Sequence, residues 1–208
     1  MFAIVDYDTG NTRNLQKALT YLKVPTVLTA DPAVLTQAEA IILPGVGAFA
    51  AAMQALANRQ LVPVLQRLGR NGKPMLGICL GMQLLFESST EYGVHPGLGL
   101  LTGNVAALPT DLGVKVPQMG WNENHVQQPI TPFVGIDGAY TYFVHSYYAV
   151  SPANQIVASV QHGVTVPSIV QKENVIGMQF HPEKSGQVGL DQLATFKKMV
   201  SANDFSSN

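Results

Sequence analysis

Short runs of uninterrupted apolar residues recur along this chain. Phe2-Ala3-Ile4-Val5, Ala40-Ile41-Ile42-Leu43 and Pro74-Met75-Leu76-Gly77-Ile78 are of this kind, and the strand pattern 175–180 is broken only by Gln179. They are too short for helices. A strand buried on one face alternates apolar and polar residues, so a strand with no polar face has to be covered on both sides. Helical spacing fills residues 11–22 and 48–70, with Pro63 dividing the second stretch and Gly72 ending it. Residues 25–29 are strand-like. Strands alternating with helices predict an α/β fold with a mostly parallel central sheet flanked by helices. Strand patterns at 101–108, 121–127, 140–150, 156–161 and 164–171 predict an additional β-rich portion. Residues 190–200 read as a closing helix and 201–208 as a polar, fraying end. No repeat, low-complexity tract or linker interrupts the chain, so residues 1–208 read as one domain.

Charge narrows the function. Twelve basic residues against thirteen acidic ones give no field to hold nucleic acid or an anionic membrane. No apolar run approaches the roughly twenty residues that span a bilayer, and the start lacks the pattern of a signal peptide. The single cysteine forms no internal disulfide, which reads as a protein of a reducing cytoplasm. No His/Cys cluster has zinc spacing, and His95, His125 and His162 lie among turn or polar residues where solvation is the expectation.

That cysteine stands in Gly77-Ile78-Cys79-Leu80-Gly81, where a strand gives way to a helix. This is the form of a nucleophile elbow, with cysteine in place of serine and glycine where the sharp turn leaves no room for side chains. A helix start favours a thiolate, and the N–H of Leu80 is placed to donate to an oxyanion. A buried structural cysteine is the bland alternative. Gln179-Phe180-His181-Pro182-Glu183 supplies the second element. Pro182 biases His181 toward an extended backbone, in which residues two apart project to one side. Glu183 can then orient the imidazole of His181, the base-and-orienter logic of a triad. Taken alone, His-Pro-Glu would read as a surface loop.

Together these segments resemble the class I (triad) glutamine amidotransferases over essentially the whole chain. Pro44-Gly45-Val46-Gly47, Met119-Gly120-Trp121-Asn122, His181-Pro182-Glu183-Lys184-Ser185 and Gly10-Asn11-Thr12-Arg13-Asn14 narrow the resemblance to the branch serving histidine biosynthesis. Gln118 departs from it, standing where many members have histidine.

The resemblance implies a triad of Cys79, His181 and Glu183. It implies oxyanion donors at Leu80 and Val46, with Gly45 and Gly47 allowing close approach to substrate. Gln83 and Glu91 match glutamine-binding positions, Glu91 taking the α-ammonium. His145-Ser146-Tyr147 matches the segment that cradles the α-carboxylate. Without the resemblance, Gln83 and Glu91 would read as solvated surface residues and 142–148 as a core strand. No metal or organic cofactor is implied. The implied partner is a (β/α)₈-barrel cyclase, forming a heterodimer and receiving ammonia. Asn11, Asn14, Trp121 and Lys184 are expected to touch it: Asn11, Asn14 and Lys184 follow strands at the edge where the cysteine sits, and Trp121 belongs to the Met-Gly-Trp-Asn segment that carries the resemblance. Rival readings keep the triad in another synthase (pyridoxal phosphate, anthranilate or purine synthesis), keep the fold as a non-catalytic binding module, or make the chain a stand-alone cysteine hydrolase.

Overall fold

The computed structural model describes residues 1–8 and 12–205. Its first half runs β1 (Phe2–Val5), α1 (Thr12–Tyr21), β2 (Thr26–Thr29), α2 (Pro32–Gln37), β3 (Ala40–Leu43), α3 (Phe49–Asn58), α4 (Leu61–Arg70), β4 (Met75–Ile78) and α5 (Leu80–Leu84). The second half runs β5 (Ser88–Ser89), β6 (His95–Pro96), β7 (Asn104–Ala107), β8 (Gln118–Glu123), β9 (His125–Val126), β10 (Tyr140–His145), β11 (Tyr147–Val150), β12 (Ile156–His162), β13 (Val164–Lys172), β14 (Val175–Met178) and α6 (Gly186–Ala202).

The central sheet has the order β2-β1-β3-β4-β14-β13-β12-β9. From β2 to β14 its neighbours pair parallel; from β14 outward they pair antiparallel. Its apolar strands are buried on both faces, as their composition requires. In β1, Ala3 and Val5 join the core beneath α2, α3 and α4, whereas Phe2 and Ile4 join the core beneath α1 and α6. The β-rich portion forms a two-stranded sheet, β10-β8, and a four-stranded sheet, β11-β7-β5-β6.

Several expectations are corrected. Residues 140–150 form two strands that join different sheets: β10 pairs with β8 and β11 with β7. Ser146 stands between them, and its carbonyl accepts from the Leu108 N–H, carrying the β11–β7 pairing one rung further. Likewise 121–127 divides into β8 and β9, and the closing helix runs longer, to Ala202. The helix α2, opened by Pro32 and capped by the Asp31 side chain at Ala33 N, lay unread in the sequence. The break between α3 and α4 falls at Gln60 (φ 57°), upstream of Pro63. Pro63 sits in the first turn of α4, where its missing N–H costs little. No helix among the described residues is long and apolar enough to cross a membrane.

The elbow's position comes from packing against β3. A methyl group added at Gly81 would lie 1.8 Å from the Leu43 carbonyl oxygen, so α5 can approach β3 only with glycine there. Gly81→Ala is therefore expected to destabilise the fold by about 3 kcal/mol, the upper part of the usual overpacking range. Urea unfolding measures it; a midpoint equal to wild type would mean that α5 shifts freely.

Candidate active site

Cys79 follows β4 directly, with φ 54° and ψ −113°, and α5 begins at the next residue. Such a backbone costs a non-glycine residue about 1–3 kcal/mol and persists only where its surroundings impose it. They do so here. A Cβ at Gly77 would meet the Gly81 carbonyl oxygen and the Met82 Cα at 2.7 Å each. α5 has only five residues, so unpaired N–H groups in its first turn, Leu80 among them, polarise the site rather than a long macrodipole.

His181 arrives from β14, the parallel neighbour of β4. Its backbone is extended (φ −95°, ψ 98°), as Pro182 dictates. The route to Glu183 differs from expectation. Residues Pro182–Lys184 form a 3₁₀ turn, and this turn, not a continued strand, swings the carboxylate back to the ring. Glu183 Oε1 lies 2.8 Å from His181 Nδ1, and both side chains are almost fully buried. An ionised carboxylate only accepts, so Nδ1 carries a proton. Nε2 is buried without a hydrogen bond of normal geometry and is left for chemistry. Burial opposes charge on this ring, but the nearby Cys79 sulfur and Glu183 outweigh it, raising the His181 pKa from 6.5 to about 9. His181 is thus charged at neutral pH, the state that supports a thiolate beside it.

A cavity of about 620 Å³ opens over Cys79. It is lined by Val46, Gly47, Leu80, Gln83, Glu91, His145, Ser146, Tyr147, His181 and Lys184, joined by Tyr92 and residues of the 107–117 segment. Gly45 does not line it. A Cβ there would meet the Tyr7 hydroxyl at 2.7 Å and the Gly81 nitrogen at 2.8 Å, so this glycine seats the loop against the elbow.

The polar side chains are more deeply set than their types suggest. Gln83 is 4% exposed, and its Nε2 donates to the Tyr147 carbonyl at 2.8 Å. His145 Nδ1 contacts the same carbonyl at 2.9 Å. Burial lowers the His145 pKa to about 4, against the pull of that hydrogen bond. A neutral His145 with its proton on Nδ1 fixes the backbone of the 145–147 segment instead of offering a positive charge to a carboxylate. Glu91 is 8% exposed and caps α3, accepting from the Phe49 N–H at 2.6 Å. Sequence reasoning missed Gln179, which is fully buried with Nε2 3.9 Å from Cys79 Sγ. The signal was present: a polar residue at the end of an otherwise apolar strand must find partners inside.

At the edge of the site, Trp121 is 53% exposed, with its ring 6.1 Å from that of Tyr142. Lys184 Nζ lies 5.8 Å from the same Tyr142 ring. Asn14 is exposed on α1, which packs against the turn carrying Lys184. Asn11 lies outside the described residues. Of the remaining histidines, His125 is exposed, while His95 and His162 are half-buried.

A strained cysteine elbow beside a carboxylate-bound histidine, at the carboxyl ends of parallel strands, defines a class. The chain belongs to the class-I glutamine amidotransferase family, whose pattern matches residues 3–199. It is similar over its full length to the imidazole glycerol phosphate synthase subunit HisH of Lactiplantibacillus plantarum, at 77% identity over 208 residues and all of both chains. The subunits of the same name from Lacticaseibacillus casei and Listeria innocua are 56% and 48% identical, each over 96% of both chains. Among solved structures, a glutamine amidotransferase superposes with a TM-score of 0.76 at 17% identity, covering 96% of this chain and 98% of that one. The glutaminase domain of Trypanosoma brucei CTPS with bound acivicin gives a TM-score of 0.56 at 15% identity, over 95% and 93% of the two chains. At those identities the two structures speak for the fold alone.

Two outcomes follow from this geometry. If Glu183 acts only by orienting the His181 ring, as its hydrogen bond to Nδ1 suits it to do, Glu183→Gln is expected to lower kcat by at least about 10²-fold with KM little changed. It also removes one cause of the raised His181 pKa, so that pKa, read by NMR titration of the ring, should fall below about 9. Because the folded pKa is raised, the stability the pair contributes is complete below the unfolded value of 6.5 and is lost as pH rises through about 9. The stability gap between wild type and variant should close across that window. Glu91→Ala is expected to raise KM while largely sparing kcat, and to cost about 1 kcal/mol through the lost cap of α3. A kcat defect at unchanged KM would contradict its binding role.

Proposed function

We propose that the chain hydrolyses the side-chain amide of glutamine as the glutaminase subunit of an imidazole glycerol phosphate synthase, through Cys79, His181 and Glu183. One observation carries the reading: the elbow cysteine and the His181–Glu183 pair, hydrogen-bonded at 2.8 Å, converge on one cavity. The full-length similarity to HisH subunits supports the choice of synthase.

The Cys79 thiolate attacks the amide carbon, with imidazolium His181 beside it. The oxyanion is held by the Leu80 N–H and a peptide N–H at Val46; each such donor is typically worth about 10²–10³ in rate. His181 protonates the departing ammonia, then activates the water that releases glutamate from the thioester. Glu91, on the wall of the same cavity, takes the α-ammonium of glutamine. The 145–147 backbone, held by Gln83 and neutral His145, receives the α-carboxylate. These steps require no metal or organic cofactor.

The whole chain acts as one glutaminase domain, and its ammonia passes to a separate (β/α)₈-barrel cyclase in a heterodimer. Asn11, Asn14, Trp121 and Lys184 are its proposed contacts. A half-exposed tryptophan beside a tyrosine and a lysine is the composition of an interface anchor rather than of a core. A reducing cytoplasm suits the chain, since Cys79 must stay a free thiol.

Cys79→Ala tests the assignment. Ammonia release should fall to background with the circular dichroism spectrum unchanged, while a cyclase supplied with ammonium salt still turns over beside the dead subunit. Ammonia release above trace level would refute the triad. Trp121→Ala should weaken cyclase binding by at least about tenfold, as a hot-spot residue does. Wild-type affinity in calorimetry would remove Trp121 from the interface.

A further inference from the structure

Gln179 is fully buried, and its hydrogen bonds fix which way its amide points. The Tyr147 carbonyl can only accept. Gln83 must therefore turn its NH₂ group toward it, and does so at 2.8 Å. The same Gln83 Nε2 lies 3.1 Å from Gln179, which must then present its oxygen to Gln83. That leaves the NH₂ group of Gln179 facing Cys79, with Nε2 3.9 Å from Sγ. The sulfur has a second neighbour, the Val144 carbonyl, also at 3.9 Å. A protonated thiol can donate to that carbonyl. A thiolate cannot, and needs donors instead. Gln179 and His181 offer them.

We propose that Gln179 is a positioning residue for the nucleophile: its amide N–H supports the Cys79 thiolate and holds its side chain in the attacking orientation, and Gln83 anchors that amide to the Tyr147 carbonyl. The inference rests on Cys79 being the nucleophile. A separation of 3.9 Å is long for such a bond, but catalytic hydrogen bonds tighten when charge develops on the acceptor. The arrangement also links the sulfur to the 145–147 backbone, so the two ends of the glutamine site share one buried chain of amides.

The test uses two variants of the full chain, with glutaminase assayed in the presence of the cyclase. Gln179→Glu keeps an oxygen acceptor for Gln83, removes the N–H and adds a like charge near the sulfur. Gln179→Met keeps the approximate volume and removes all hydrogen bonding. Gln179→Glu is expected to lose roughly 10- to 100-fold in kcat, the usual worth of a hydrogen bond to a charged group, with KM within about twofold of wild type. In both variants the rate of Cys79 alkylation by iodoacetamide, followed against pH, should move to higher pH. A merely structural role would leave that curve in place. Unmoved alkylation curves, or a loss confined to KM, would overturn the proposal. If Gln179→Glu does not fold, the alkylation curve of Gln179→Met decides alone. Failure of the glutaminase reading is distinguishable, because wild type itself would then release no ammonia.

Discussion

The backbone N–H of Cys79 donates to the carbonyl of Met178 at 2.8 Å, continuing the parallel ladder of β4 and β14 by one rung. The rest of the site hangs from this pairing. Ile78 is level with Met178, so the residues that follow each strand emerge side by side at the same edge. Cys79 leaves β4 while Gln179 and His181 leave β14, a hundred residues later in the chain. In a parallel pair, slippage by one residue would turn every side chain to the opposite face. The apolar composition of both strands tolerates either face, so the register is set by the contacts at the strand ends and by Gly77 and Gly177, which stand opposite one another where α5 presses down.

Strain and burial then divide the work. The strained residue is Cys79, the proposed nucleophile, and the helix seated on Gly81 keeps it strained. The buried groups around it have opposed electrostatic tasks. His181 is held charged by a sulfur and a carboxylate against its own burial, while burial, reinforced by His162 and His181, keeps His145 neutral against the pull of the Tyr147 carbonyl. The two histidines thus titrate far apart because burial goes uncompensated at His145 and is outweighed at His181 by the Cys79 sulfur and Glu183.

Much of this was legible in the residues. Four short runs, apolar but for Gln179, specified a sheet covered on both faces. The spacing of Gly77, Cys79 and Gly81 specified the elbow, and His181-Pro182-Glu183 specified the pair. What the sequence hid is of two kinds. Local periodicity cannot show where one strand ends and a second leaves for another sheet, so the break at Ser146 went unread. Nor does residue type announce burial. Gln83 and Glu91 carry side chains that belong by default in water, and Gln179 ends an apolar strand without a motif of its own; each is buried because a partner some 40 to 100 residues away satisfies it. The extended His-Pro-Glu geometry was right for His181 and wrong for Glu183, since the chain turns immediately after the proline.

The bond from Phe49 N–H to Glu91 gives one carboxylate two employers. In the role proposed for it, Glu91 recognises the amino end of the substrate, and it also caps the buried first N–H of α3. Substrate preference at this position is therefore not free to drift. A variant redesigned for an amide lacking the ammonium group would have to furnish a new cap for α3 in the same step, or accept a helix that frays beside the loop carrying Val46. Directed evolution toward new amide donors should accordingly find its first footholds elsewhere on the cavity wall, at exposed Tyr92 and Thr110, which line the space from outside the core clusters.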